Sequence, residues 1–84
     1  MTLNECKEKF PLHKIIESFE PVNKYGSPPH ICDAMELFNY LIVGYCTFSK
    51  DNKDEYWYPV VQTEPGAVKW YYPSLSGWKI IDNN

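Results

Sequence analysis

Two aromatic segments separated by a turn constrain the fold of this chain more than any other feature. The first runs from Tyr56 to Gln62 and the second from Val68 to Tyr72, and the residues between them include Pro65 and Gly66. Aromatic and β-branched residues favour a half-buried strand, and a Pro-Gly break between two such segments is typical of a hairpin connection. We therefore predict a β-hairpin at the centre of the fold.

Two further segments have the composition of short strands. Val43 to Ser49 and Trp78 to Ile81 are rich in β-branched or aromatic residues and are bounded by turn-forming residues. With the strands predicted over Glu55–Gln62 and Ala67–Tyr72, they predict a four-stranded antiparallel meander.

The N-terminal half has helical spacing. Thr2 and Glu5 stand at the spacing of a capping box, which predicts a short first helix over residues 3–9. Apolar residues at three- and four-residue steps then predict amphipathic helices over residues 11–19 and 29–41, joined by a loop of about ten residues. A strand over residues 13–19 is the alternative to the first of these helices.

These elements predict an α+β fold in which two amphipathic helices pack on one face of a small four-stranded antiparallel sheet. The chain of 84 residues is short enough for one core, so we expect a single compact domain over residues 1–84. Its helical part would cover about residues 1–42 and its β-meander about residues 43–82.

The charge pattern argues against nucleic acid as a partner. Eleven acidic residues against eight lysines give a net charge of −3, and the sequence contains no arginine. Arginine is the usual side chain for bidentate contacts with guanine and phosphate, and the lysines are scattered rather than grouped in a basic stripe.

The cysteines indicate a reducing compartment. Cys6, Cys32 and Cys46 are odd in number and widely spaced, unlike a secreted disulfide framework, and the chain begins without a charged-then-apolar leader. We therefore expect a cytoplasmic protein. The longest apolar run, Tyr40 to Phe48, is well short of the roughly twenty residues that span a bilayer, so we expect no membrane association.

No pattern in the sequence predicts catalysis, a metal or a cofactor. His30 and Cys32 are close in sequence, but paired ligands at zinc-site spacing are missing, so Cys32 and Cys46 are more simply explained as small packed residues. There is also no glycine-rich phosphate loop and no nucleophile elbow. We expect a protein that is not an enzyme and that needs no cofactor.

Strict alternation along the predicted strands sorts their side chains into two faces. One face collects Trp57, Trp70 and Trp78 and is expected to pack under the helices. The other face is expected to point outward, where tyrosines and lysines suit a protein interface. The predicted partner-binding residues are Tyr45, Tyr56, Tyr58, Lys69, Tyr71 and Lys79.

The function predicted from these features is a small non-enzymatic domain that binds another protein. By analogy with small acidic proteins of bacteria and phages, it would be an inhibitor or antitoxin-like factor that occludes its partner. A homodimer through the same face is a further arrangement that such a surface allows. The alternative is a small-ligand or carbohydrate-binding module in which Tyr56, Tyr58 and Tyr71 stack the ligand.

Overall fold

The protein is one curved antiparallel sheet with a short helix. The computed structural model describes residues 1–47, 56–73 and 77–81. In these residues the elements are, in chain order, α1 (Leu3–Lys9), β1 (Ile15–Val22), β2 (Ala34–Thr47), β3 (Trp57–Glu64), β4 (Ala67–Trp70) and β5 (Trp78–Ile81). The strands lie in the order β4-β3-β2-β1-β5, and every neighbouring pair is antiparallel. The prediction of an α+β fold with two amphipathic helices on four strands is therefore wrong.

The first helix is confirmed with its capping box. The Thr2 side chain accepts the Glu5 backbone N–H at 3.2 Å, and the Glu5 carboxylate accepts the Thr2 backbone N–H at 3.3 Å. A helix of seven residues is not stable alone, so the burial of Cys6 and of the following Phe10 holds it in place. Within the described part of the chain, α1 falls far short of the length and apolarity that a membrane-crossing helix requires.

The helices predicted over residues 11–19 and 29–41 are instead strands β1 and β2. In β1, Ile16 and Ser18 face the core while Ile15 and Phe19 point to the opposite side of the sheet. When a strand carries apolar residues on both faces, the alternation of apolar and polar residues disappears. The remaining spacing then resembles a helical stripe. The alternative, a strand over residues 13–19, has the correct type of element, but the observed strand is Ile15–Val22.

The later strands are predicted in part as segments but not as a topology, since the strand predicted from Val43 is only the end of β2 (Ala34–Thr47). The hairpin of β3 and β4 is confirmed, with Gly66 at φ +84 in its turn; residues 48, 49 and 55 of the predicted strands lie outside the described residues. β5 covers the predicted residues, but it pairs with β1 rather than with β4 as a meander requires. This pairing brings the ring of Trp78 to 4.6 Å from that of Phe10, a long-range contact that local propensity cannot reveal.

The sheet is strongly curved. The hydroxyl of Tyr71, just beyond β4, lies 2.7 Å from that of Ser18 on β1. In a flat sheet, β4 and β1 would lie three strand spacings apart, or about 14 Å. The side chains of Tyr71 and Ser18 could not bridge that distance. Irregular pairing between Ile42 and Gly44 and between Gln62 and Glu64 marks bulges, which bend strands in this way.

The two faces of the sheet differ in what covers them. One buried cluster joins Cys6 and Phe10 of the helical segment to the inner sheet residues Ile16, Tyr40, Ile42, Val61 and Tyr71. We call the sheet face under α1 the covered face and the opposite one the open face. No described element packs over the open face.

β1 and β2 extend beyond the rest of the sheet as a hairpin arm. β5 pairs with β1 only up to Ser18, and β3 pairs with β2 only from Leu41 onward. The part of the hairpin from Phe19 to Phe38 therefore projects, and we call it the arm. The radius of gyration of 14.2 Å exceeds the about 12 Å expected for a compact chain of this length, in agreement with a projecting element.

Candidate functional site

The open face is unusual among the described surfaces because it is apolar and no described element covers it. Register and alternation place Val68, Trp70, Phe19, Met35 and Leu37 on it, and each of these side chains is exposed. Half-buried residues fill the middle of this face: Ile15, Leu41, Val60 and Ile81. Exposed apolar patches on a small protein usually mark places where another molecule binds.

An aromatic cluster occupies the β3–β4 side of the open face. We define it as Tyr58, Val68, Trp70 and Tyr72. The rings of Tyr58 and Tyr72 lie 4.7 Å apart at 30°, and their hydroxyls are 3.2 Å apart. The hydrogen bond from Tyr72 raises the pKa of Tyr58, with smaller effects of burial and of neighbouring tyrosines. The cluster combines rigid apolar rings with polar tips, the composition of many protein interfaces.

A polar row divides the aromatic cluster from a second apolar cluster on the arm. Asn39, Glu17 and Lys79 lie side by side on neighbouring strands, and the Lys79 ammonium is 3.4 Å from the Glu17 carboxylate. Beyond this row lie Phe19, Met35 and Leu37, which we call the arm cluster. The open face thus has two apolar areas with a charged and amide strip between them.

Two shallow grooves lined by described residues open on this face. The first, of about 210 Å³, lies between the β2 residues Asn39 and Leu41 and the β3–β4 turn. The second, of about 180 Å³, lies beside Phe19, Leu37 and Lys79. Pockets for small ligands are commonly about 300–1,000 Å³, so both grooves are small for that purpose.

Three of the predicted partner-binding residues lie on the covered face. Tyr71 is 2% exposed and belongs to the core. Tyr45 is half-buried, and its hydroxyl donates to the Phe10 carbonyl at 2.6 Å. Lys69 reaches over the covered face, where its ammonium lies 3.2 Å from the Tyr40 hydroxyl and 4.5 Å from the centre of that ring.

The other three predicted residues are separated from one another. Tyr58 is on the open face within the aromatic cluster, and Lys79 is on the same face three strands away. Tyr56 precedes β3 and is about half exposed. The structure therefore does not bring the predicted set together on one surface.

Bulges explain why the predicted faces are mixed. The irregularity between Gln62 and Glu64 shifts the phase of β4, so Trp70 points outward and Tyr71 inward, the reverse of strict alternation across the hairpin. The irregularity between Ile42 and Gly44 likewise shifts the phase of β2, so Tyr45 points to the covered face. Sequence reasoning missed the arm cluster because its residues were assigned to helices. Apolar residues on both sides of these strands were the signal for it.

A chain of hydrogen bonds crosses the covered face and ends on Glu20. The single hydrogen of the Ser18 hydroxyl goes to Glu20 at 2.9 Å, so Tyr71 is the donor in its 2.7 Å bond to Ser18. Tyr40 donates to the other Glu20 oxygen at 2.9 Å and accepts from Lys69. Burial, followed by the hydrogen bond to Glu20, raises the pKa of Tyr40. Because Ser18 is fully buried and its proton is engaged, this network stabilises the fold and presents no accessible nucleophile.

The three thiols are unpaired and differ in environment. Cys32 is exposed, Cys46 is half-buried and Cys6 is buried. Burial raises the pKa of the Cys6 thiol to about 11 and also raises that of Cys46, which keeps both protonated near neutral pH. Within residues 1–47, 56–73 and 77–81, no three His, Cys, Asp or Glu side chains are grouped in a way that could hold a metal ion.

The fold and this surface define a small sheet protein with one open apolar face. Comparison with protein-family models, curated protein sequences and solved structures finds no match to the chain.

Proposed function

We propose that this protein is a non-enzymatic domain that binds another protein through its open sheet face. The observation that carries the proposal is the exposed aromatic cluster on a face that no described element covers. Trp70 is 57% exposed and Tyr72 64% exposed, which is unusual for side chains that strongly favour burial or interfaces.

The size of the cluster fits a binding surface. With about 200 Å² per aromatic side chain, the exposed fractions of Trp70 and Tyr72 leave roughly 250 Å² of ring surface. Val68, at 62% exposure, adds to this area. The total reaches the range of about 300–600 Å² that is typical of the largest, often functional, patch on a monomer.

The shape of the face favours a protein over a small ligand. Both grooves are below the usual volume of a ligand pocket, and Tyr56, Tyr58 and Tyr71 do not converge on one of them. A broad face with shallow grooves suits a partner that contacts many residues at once.

The proposal also includes the cellular compartment of the protein and its mode of action. Three free thiols fit a reducing compartment, so we place the protein in the cytoplasm. A domain that offers a binding surface of this kind acts by occupying its partner, as an inhibitor or antitoxin-like factor does.

The test compares two double variants with equal added charge. Val68→Lys with Tyr72→Lys places two lysines in the aromatic cluster. Leu12→Lys with Tyr25→Lys places two lysines at exposed positions outside the sheet, so it is the matched control. Wild type and both variants are immobilised, proteins bound from bacterial lysate are quantified by mass spectrometry, and the purified partner is titrated by calorimetry.

We expect the partner to bind wild type and the control with similar affinity, and the cluster variant at least about thirtyfold more weakly, as for loss of a 2 kcal/mol hot spot. Equal affinity for all three proteins would contradict the proposal. Binding of an oligosaccharide or nucleotide that quenches tryptophan fluorescence, and that is lost in the cluster variant, would favour a ligand-binding module instead.

A further inference from the structure

The backbone of β2 has an open edge along the arm and at the adjoining residue Asn39. The Ile42 N–H donates to the Lys14 carbonyl, and the Phe19 N–H donates to the Gly77 carbonyl. The backbone N–H and C=O groups alternate in direction along a strand. From Ile42 back to Ala34, those of the even-numbered residues of β2 therefore point toward β1. The backbone N–H and C=O groups of Met35, Leu37 and Asn39 therefore point away from β1.

Nothing in the described part of the chain pairs with this edge. β3 reaches β2 only at Leu41, and no hydrogen bond joins the backbone of Met35, Leu37 or Asn39 to another described residue. These three N–H and three C=O groups form a regular row at the spacing of a strand. Leu37, 57% exposed, and Met35 flank the row on the open face.

The other edges of the sheet carry features that block strand pairing, and this one does not. β5 has Lys79, β4 has the inward-pointing Lys69, and the outer edge of β1 in the arm has Pro21, whose missing N–H would point outward. Charges and prolines of this kind prevent edge-to-edge association. The stretch Met35–Asn39 has neither lysine nor proline. Its one charge, Glu36, is held by Lys24 at 2.8 Å.

We propose that an extended segment of a partner protein adds to the sheet as a strand along Met35–Asn39 of β2. The proposal rests on the proposed function in that the partner is a protein, but it concerns the arm and not the aromatic cluster. The main-chain groups of the partner segment pair with those of Met35, Leu37 and Asn39. The apolar side chains that this segment places on the open face contact the arm cluster.

The surroundings of the edge define the occupant. A row of alternating backbone donors and acceptors is complementary to another extended backbone and to few other ligands. The β3–β4 turn, with Thr63, Glu64 and Pro65, stands beside Asn39 across the first groove and limits the added strand to about five residues. If a second copy paired with this edge about a two-fold axis at Leu37, its strand would continue through Ala34 toward the β3–β4 turn. A short partner segment therefore fits this edge better than a second copy does.

The first experiment measures amide protection on the intact protein. The probe is the heptapeptide Lys-Val-Thr-Val-Thr-Val-Lys, and the control peptide carries N-methyl groups on its three valine nitrogens. In the free protein, the amides of Met35, Leu37 and Asn39 should exchange rapidly while those of Phe38 and Tyr40 are protected. Millimolar heptapeptide should protect the three edge amides at least about tenfold, and the methylated peptide should not.

The second experiment uses a pair of variants at one position. Leu37→Pro removes an outward N–H without removing a hydrogen bond to β1, as Pro21 does on the other edge, whereas Leu37→Ala shortens the side chain and keeps the N–H. Peptide affinity should fall at least about tenfold more in Leu37→Pro than in Leu37→Ala. The Val68→Lys, Tyr72→Lys variant should bind the peptide like wild type, which separates this site from the aromatic cluster.

Three results would overturn the proposal. One is equal binding of the methylated and unmethylated peptides, a test that does not depend on the folding of any variant. Another is the absence of any change at the three edge amides with millimolar peptide. The third is protection of these amides in the free protein. Protection that rises with protein concentration would show that a second copy pairs with the edge, and protection that does not would show that another part of the chain pairs with it.

Discussion

At the scale of single residues, Tyr71 and Tyr72 are neighbours in sequence with opposite environments. Tyr71 is buried, packs edge-on against Phe10 at 6.2 Å and donates to Ser18, whereas Tyr72 lies on the open face against Tyr58. Their chemistry is identical, so the sequence cannot distinguish the tyrosine that holds the core from the one that offers a surface. Only the phase of β4, set by the bulge after Gln62, decides it.

The same substitution at both positions tests this difference. Tyr71→Phe removes a buried hydroxyl and its bond to Ser18, so we expect the free energy of unfolding to fall by about 1 kcal/mol. Tyr72→Phe removes only an exposed hydroxyl and should change it by less than about 0.5 kcal/mol. Urea unfolding followed by tryptophan fluorescence measures both values. Equal losses would mean that the two rings do not lie on different faces.

At the scale of elements, the arm needs support from its own loop. A two-stranded ribbon is at best marginally stable in water, and no other described strand pairs with the arm. The Asp33 carboxylate accepts the backbone N–H groups of Lys24 at 2.7 Å, Tyr25 at 3.0 Å and Ser27 at 3.3 Å. The Asn23 amide nitrogen lies 2.8–2.9 Å from three loop carbonyls. The sequence predicted a loop here, but the contacts that order it depend on side chains meeting across the hairpin.

Acid should loosen this loop through Asp33. The hydrogen bond from the Lys24 N–H, together with those of Ser27 and Tyr25, lowers the pKa of Asp33 to about 2. Because the folded-state pKa is depressed, the carboxylate stabilises the loop above its unfolded pKa of about 4, and this stabilisation is lost as the pH falls toward 2. We expect exchange of the Lys24 and Tyr25 amides to accelerate over this range, as measured by NMR.

Two variants serve as controls for the acid transition. Asp33→Asn should give an already loosened loop with no transition in that range. Glu36→Gln, which removes only the surface ion pair with Lys24, should keep it. A transition that persists in Asp33→Asn would assign the acid sensitivity to another group.

At the scale of the whole molecule, one helix covers one face of a five-stranded sheet within the described residues, and the other face and the arm remain open. β1 and β2 have apolar residues on both faces. This one property explains both the error in the predicted fold and the presence of the candidate site. This removes the alternation that identifies a strand and leaves an apolar surface that no described element covers.

The projecting arm should be visible in solution. Small-angle scattering of the monomer should give a radius of gyration near the 14.2 Å of the Cα trace, slightly larger with side chains and hydration. Replacing residues 20–36 by Asn-Gly, a turn that closes two-residue hairpins, should lower it toward about 12 Å. A wild-type value already near 12 Å would show that the arm folds back on the sheet.

The sequence by itself determined what depends on near neighbours in the chain: the capped first helix, the β3–β4 hairpin with its Pro-Gly turn, and the limits of β5. The tertiary structure alone decided that residues 15–22 and 34–41 are strands rather than helices, that β5 pairs with β1, and which side of the sheet each aromatic residue faces. These features depend on bulges and on pairing between distant segments. A residue's partner across the sheet, and the side from which α1 covers it, are not encoded in its local sequence.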